Sequence, residues 1–174
     1  VYLGIASLAL VVVYPFMKRF TYWPQAFLGL AFNWGAILGW SAVTGELQAP
    51  ALWLYAAGIF WTLGYDTIYA HQDKADDVLV GVKSTALKLG DESPKWLIRF
   101  YLMTVALLGV SGYWMDLAWP YFAGLGVGAA HLAWQVRAVD LDDVGSCQRF
   151  FKSNRDFGLI VLAGIVVARL SVES

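Results

Sequence analysis

Four carboxylates, Asp66, Asp73, Asp76 and Asp77, fall within residues 64–84 (GYDTIYAHQDKADDVLVGVKS) of a chain in which only 14% of residues are charged. On a helix, at about 100° per residue, Asp66, Asp73 and Asp77 lie within roughly 40° of one another and face one way, with Asp76 off to the side. Asp73 and Asp77 stand four residues apart, so both can reach one metal cluster. Like charges at that spacing repel, and a cation would remove the repulsion. Oxygen-only ligands suit Mg²⁺, which bridges a few carboxylates to a phosphate. Gly81, Lys83 and Ser84 follow at once, with groups able to hold phosphate oxygens. The same residues also read as a solvated helix face or a cap. A membrane setting favours the functional reading, because polar clusters lining a cavity at the ends of spanning helices are functional by default.

The elements that must position these residues are apolar. The chain has 174 residues, 59% hydrophobic, with mean hydropathy +0.58 and 9 Trp, 9 Tyr and 10 Phe. Its charges cluster in short connections. That pattern predicts an all-α, polytopic transmembrane helical bundle in a lipid bilayer. A net charge of −1 suggests no nucleic-acid partner. The lone Cys147 makes no internal disulfide and no Cys/His metal spacing exists, so it reads as an apolar filler.

Six apolar runs follow one another, at residues 1–13, 21–43, 51–65, 96–114, 119–136 and 156–170. The first is short for a bilayer and does not begin with Met; it reads as a spanning helix already under way, hence as part of a longer protein. A bend is expected at Tyr14-Pro15. Asn33, in the second run, either bonds across to another helix or lines a cavity. The glycines at 29, 35 and 39 and those of GLGVGAA (124, 126 and 128) read as helix-packing positions. Residues 85–89 are expected to form a short interfacial helix over the site mouth, ended by Gly90, with Ser93-Pro94 starting the next. Residues 137–155 are expected as a polar connection in which Asp140 and Asp143 are solvated.

Connections 14–20, 72–95 and 137–155 hold Lys and Arg; 44–50 and 115–118 hold none. By the positive-inside rule the basic connections share the cytoplasmic or matrix side, and the candidate residues with them.

The block YDTIYAHQDKADD followed by GVKST resembles the second aspartate-rich motif of the UbiA family of membrane prenyltransferases, most of all its 4-hydroxybenzoate polyprenyltransferase branch. YPFMKRFTYWPQ, with its Tyr-x-x-x-Lys pair Tyr14 and Lys18, and RFFKSNRDFG resemble the same family. The resemblance implies a nine-helix fold of which residues 1–174 are the C-terminal part of one domain. The family's first motif, of Asn-Asp-x-x-Asp type, would lie upstream, so this stretch alone is expected to be inactive. It further implies Mg²⁺-dependent transfer of a polyprenyl group from an allylic diphosphate to the ring of 4-hydroxybenzoate, as in ubiquinone biosynthesis. Asp73, Asp77 and Asp66 would hold the metal, and Asp66 could instead take the phenolic proton. Lys18, Tyr14, Lys83 and Ser84 would hold the diphosphate. Asn33, Asn154 and Arg155 would line or support the cavity. A bacterial inner membrane is expected, with the mitochondrial inner membrane as alternative. Another acceptor within the family, or a cation-binding transporter segment, are the competing readings.

Overall fold

The computed structural model describes residues 2–173, and all the regular structure among them is helical. Helix α1 (Tyr2–Phe20) runs through Pro15 without ending there, and the Thr21 amide still bonds the Met17 carbonyl at 2.9 Å. The expected bend at Tyr14-Pro15 is therefore no helix terminus. A proline costs a helix one hydrogen bond, which spanning helices tolerate. The second apolar run is divided instead by its asparagine, into α2 (Pro24–Phe32) and α3 (Trp34–Thr44). Asn33 has φ −85° and ψ −1°, and its side-chain amide donates to the Gly29 carbonyl at 2.9 Å, a local bond that competes with the helix. The same amide donates to the Thr62 hydroxyl at 2.9 Å, tying this span to the next. Gly58 makes room, since a Cβ there would collide with the Asn33 side chain.

Helix α4 (Ala49–Gln72, 24 residues) is the central element, packed against α2, α7 and α9. It stops at Asp73, after which α5 (Lys74–Val80) runs to Gly81, whose φ of 74° suits a left-handed cap. Helix α6 (Thr85–Leu89) forms as expected. Gly90, with φ 48°, ends it, a 3₁₀ turn follows over Gly90–Glu92, and α7 (Ser93–Trp114) begins. Helices α8 (Trp119–Ala138) and α9 (Val144–Glu173) complete the bundle.

Helix α9 takes in residues 144–155, which the sequence presents as a connection. The Asp143 carboxylate accepts the Ser146 amide at 2.6 Å and so caps the helix start. Cys147, Phe150, Asn154 and Phe157 then form one buried stripe at helical spacing, while Lys152 and Arg155 point outward. Helices α8 and α9 meet at Gly124, where a Cβ would stand 3.0 Å from the Gly164 Cα. Gly128 meets Phe157 and Gly29 meets the Ile59 backbone, whereas Gly35, Gly39 and Gly126 face open space. Half of the expected packing glycines thus pack.

By length and composition, three stretches among the described residues are apolar enough to cross a membrane: Tyr2–Phe20, Pro24–Thr44 and Thr85–Trp114. Helices α4, α8 and α9 are equally long but carry buried polar residues, among them Thr62, Thr67, Gln135 and Asn154. Those groups need partners inside the bundle, and finding them is what builds the site.

Candidate functional site

Lys83 connects two of the basic segments. Its amide bonds the Lys18 carbonyl at 2.7 Å, and its ammonium reaches the Phe20 carbonyl at 3.3 Å while lying 5.4 Å from the Tyr22 ring centre. The end of α1 and the segment after α5 are therefore side by side. Lys18 acts electrostatically on both Asp66 and Asp73, and the Tyr14 phenol on the facing side of α1 feels Asp66 and Tyr65. One end of the bundle thus gathers Tyr14, Lys18, Asp66, Asp73 and Asp77.

The carboxylate stripe is not carried by one straight helix. It bends at Asp73, which closes α4 and opens α5, yet the Asp77 amide still bonds the Asp73 carbonyl at 2.8 Å, so one helical turn separates the two. Asp76, off to the side of the stripe, is exposed; Asp77 is buried, and its Oδ2 has no hydrogen-bond partner. Asp73 is held above the ordinary carboxylate range, first by its partial burial and then by the Asp77 charge, with Lys18 opposing and Asp76 adding to it.

A metal would answer both the repulsion and the unpartnered oxygen. Among the described residues no three acidic, His or Cys side chains converge on one point, so the chain presents no preformed three-carboxylate cage. Mg²⁺ does not need one, because it is held by one or two carboxylates plus substrate phosphates and water. Asp73 and Asp77 fit that donor set. Affinity should then fall on acidification, because protons compete for the ligands. Since Asp73 titrates above the ordinary carboxylate range, the loss should begin at a higher pH than for an unperturbed carboxylate; Mg²⁺ titrations by calorimetry between pH 7.5 and 5 check this.

Beside these groups a cavity of about 330 Å³ opens, with Asp66, Tyr65, Lys152 and Arg155 at its polar end and Leu28, Phe32, Trp61 and Phe151 along its walls. A second, more apolar cavity of about 320 Å³ continues from Phe32 and Trp61 past Asn33 and Ala57 to Val161 and Ile165. Asn33 therefore satisfies both of its expected roles, a bond across helices and a place on a cavity wall. Arg155 stands exposed at the mouth of the first cavity, paired with Asp156 at 2.9 Å.

Two expected residues do structural work here. Ser84 is fully buried, and its hydroxyl accepts the Leu87 amide at 3.4 Å as the cap of α6; it is not placed to meet a phosphate. Asn154 is also buried, on the lining of the first cavity, and supports that wall: its amide bonds the Gln135 side chain at 3.3 Å and the Phe150 carbonyl at 3.0 Å, while its oxygen accepts the Trp61 indole N–H at 2.9 Å. Gln135, 0% exposed, also accepts the Tyr101 hydroxyl at 3.0 Å and donates to Ser153 at 2.8 Å. The sequence pattern does not announce this network. Gln135 carried the signal that exposed Asn33, an amide within an apolar run.

The family model described as the UbiA prenyltransferase family matches residues 1–163. A mitochondrial 4-hydroxybenzoate polyprenyltransferase of Caenorhabditis elegans is 55% identical over 171 residues, covering 98% of this chain and 48% of the relative. The enzyme of the same name in Arabidopsis thaliana is 54% identical, over 96% of this chain and 41% of its own length. The human one is 50% identical, over 98% and 46%. The chain thus spans less than half the length of these relatives. Among solved structures, the apo form of a UbiA homolog from Aeropyrum pernix K1 superposes with a TM-score of 0.76 at 25% identity, over 95% of this chain and 62% of that one. A digeranylgeranylglyceryl phosphate synthase superposes at 0.71, with 16% identity over 96% and 62%, a likeness of fold.

Proposed function

The chain belongs to the UbiA prenyltransferase family, and on that premise we propose that the protein transfers a polyprenyl group from an allylic diphosphate to the ring of 4-hydroxybenzoate, a step of ubiquinone biosynthesis. We read residues 1–174 as the C-terminal part of one transmembrane domain. It lies in a bacterial or mitochondrial inner membrane, with the site on the cytoplasmic or matrix side. The carrying observation is the position of Asp66. It lines the polar end of one cavity, within reach of Lys18 and Asp73, and that cavity adjoins a second, apolar one. A molecule with a charged head and an isoprenoid tail fits this arrangement. The relatives' names favour the hydroxybenzoate acceptor over others in the family. Carboxylates at the end of α4 rather than midway along broken helices argue against a transporter segment.

Asp73 and Asp77 would hold Mg²⁺, which when bound supplies positive charge to a diphosphate leaving group. Lys18 and Tyr14 face the same region and neutralise or hydrogen-bond the departing oxygens. Lys83, whose ammonium bonds the Phe20 carbonyl at the end of α1, would add positive charge beside the helix that carries Tyr14 and Lys18. The C1–O bond breaks with its electron pair going to diphosphate. The acceptor ring then gives a π pair to C1 at the carbon ortho to its hydroxyl. Asp66, the one aspartate on the cavity wall, accepts the phenolic proton as the new C–C bond forms. The hydrogen on the substituted carbon then passes to the phenolic oxygen and restores the ring. Arg155 and Lys152, at the mouth, suit the acceptor's carboxylate.

Retention of geranyl diphosphate by the protein, produced at the length of its relatives, tests the reading. Binding should require Mg²⁺ and vanish with EDTA. Retention indifferent to Mg²⁺ would remove the proposed role of the aspartates.

A further inference from the structure

The two cavities share two wall residues, Phe32 and Trp61. Asp66 lines only the first, and Leu108 and Val161 only the second. A substrate with its charged end at Asp66 and its tail in the second cavity runs past these two shared rings, the neck between head and tail. The atoms next to the diphosphate are those at the neck.

Of the two rings, Trp61 is the one held in place. Its indole N–H donates to Asn154 at 2.9 Å, and Asn154 is itself fixed by Gln135. Tyr65 meets the ring edge-on at 5.5 Å between centres, and Phe157 at 5.2 Å. On the α9 side it lies over Gly158, where an added Cβ would approach the indole Cη2 to 3.3 Å. A hydrogen bond, two aromatic neighbours and a missing side chain thus set one ring at one place. Phe32, by contrast, is 70% exposed.

The geometry points to Trp61 as the residue that holds the first isoprene unit at the neck, laying its π face on the carbon that becomes cationic and keeping water from it. This rests on the prenyl-transfer reading. When the C1–O bond breaks, C1 is short of an electron pair and takes one from whichever donor is nearest. The acceptor ring gives the prenylated product; water gives a prenyl alcohol and a proton. A desolvated aromatic face stabilises the cation and leaves no room for water. Asn154 is a positioning residue, acting through Trp61.

The test compares Trp61→Phe, Trp61→Leu and Gly158→Val in the protein at its relatives' full length, with geranyl diphosphate as donor. Trp61→Phe keeps a ring but gives up the indole N–H bond to Asn154, so it should lose part of the parent's kcat and far less than Trp61→Leu. Trp61→Leu should lose about 30-fold in kcat, the equivalent of a desolvated cation–π contact. Its KM for the donor should stay within about threefold, because the diphosphate contacts remain, and the share of geraniol among products should rise. Gly158→Val displaces the indole without reaching Asp66 and should shift products the same way, which keeps the proposal testable if Trp61→Leu does not fold. Equal kcat in the Leu and Phe variants, with no added geraniol, would overturn it. That outcome leaves Mg²⁺-dependent donor retention intact, whereas failure of the prenyl-transfer reading removes retention in the parent protein too.

Discussion

Asp77→Asn should lower prenyl transfer by about 10²–10³-fold, the scale of losing one charged partner of a leaving group, and should at the same time raise the melting temperature measured without Mg²⁺. The two effects share one cause. Asp77 is buried with an oxygen that bonds nothing in the protein, and its charge lies one turn from Asp73. A buried acceptor left without a partner costs about 1–3 kcal/mol, and more when charged. The amide removes the charge and the repulsion with little change of shape, so the folded state gains. It also removes the oxygen best placed to take a cation, so Mg²⁺-dependent retention of geranyl diphosphate should go with the activity. A structural carboxylate would behave oppositely: its loss would lower the melting temperature and spare donor binding. Thermal melts with and without Mg²⁺, beside a turnover assay, decide between them. A variant that melts lower and still transfers at near the parent rate would refute the role given to Asp77.

The sequence made the chemistry easier to read than the connections between elements. Asp66, Asp73 and Asp77 stood out because carboxylates are rare in an apolar chain, and the short helix at Thr85–Leu89 was marked by Ser84 before it and Gly90 after it. The start of α9 was hidden by its charges. Arg149, Lys152 and Arg155 give residues 144–155 the composition of a loop, although Cys147, Phe150 and Asn154 keep the spacing of a buried helical face. Composition misleads where one side of a helix meets water at the membrane edge and the other meets the core. The break at Asn33 was illegible for another reason. An asparagine in an apolar run signals a polar group in need of a partner, which it is, but its nearest partner is its own helix's Gly29 carbonyl. Ser84 fitted a phosphate-binding pattern by type and position, and only its burial shows that the hydroxyl is spent on α6. Trp61 was one aromatic among several in its run; its role depends on what α9 brings against it from 93 residues away.

Gly64→Val should cost the fold about 2–5 kcal/mol, by overpacking and by the loss of a buried hydrogen bond. Gly64 is buried in the contact between α4 and α7, the most extensive helix pair of the bundle, and any Cβ there would collide with the Tyr101 ring. Tyr101 is 4% exposed and cannot swing aside without pulling its hydroxyl from Gln135. Gln135 holds Asn154, and Asn154 holds Trp61, so a clash at the α4–α7 contact is passed to the wall of the head-group cavity. Gly64→Ala should show a smaller version of both effects. Adding Tyr101→Leu to Gly64→Ala removes the clash, so the double variant should be more stable than additivity of the two singles allows, by about 0.5–3 kcal/mol. Activity separates packing from positioning. Leucine at 101 relieves the collision but gives Gln135 no hydroxyl, so melting should recover further than turnover does. If Gly64→Val melts with the parent protein, the close approach of α4 and α7 at this point is wrong, and the chain of bonds from Tyr101 to Trp61 loses its starting point.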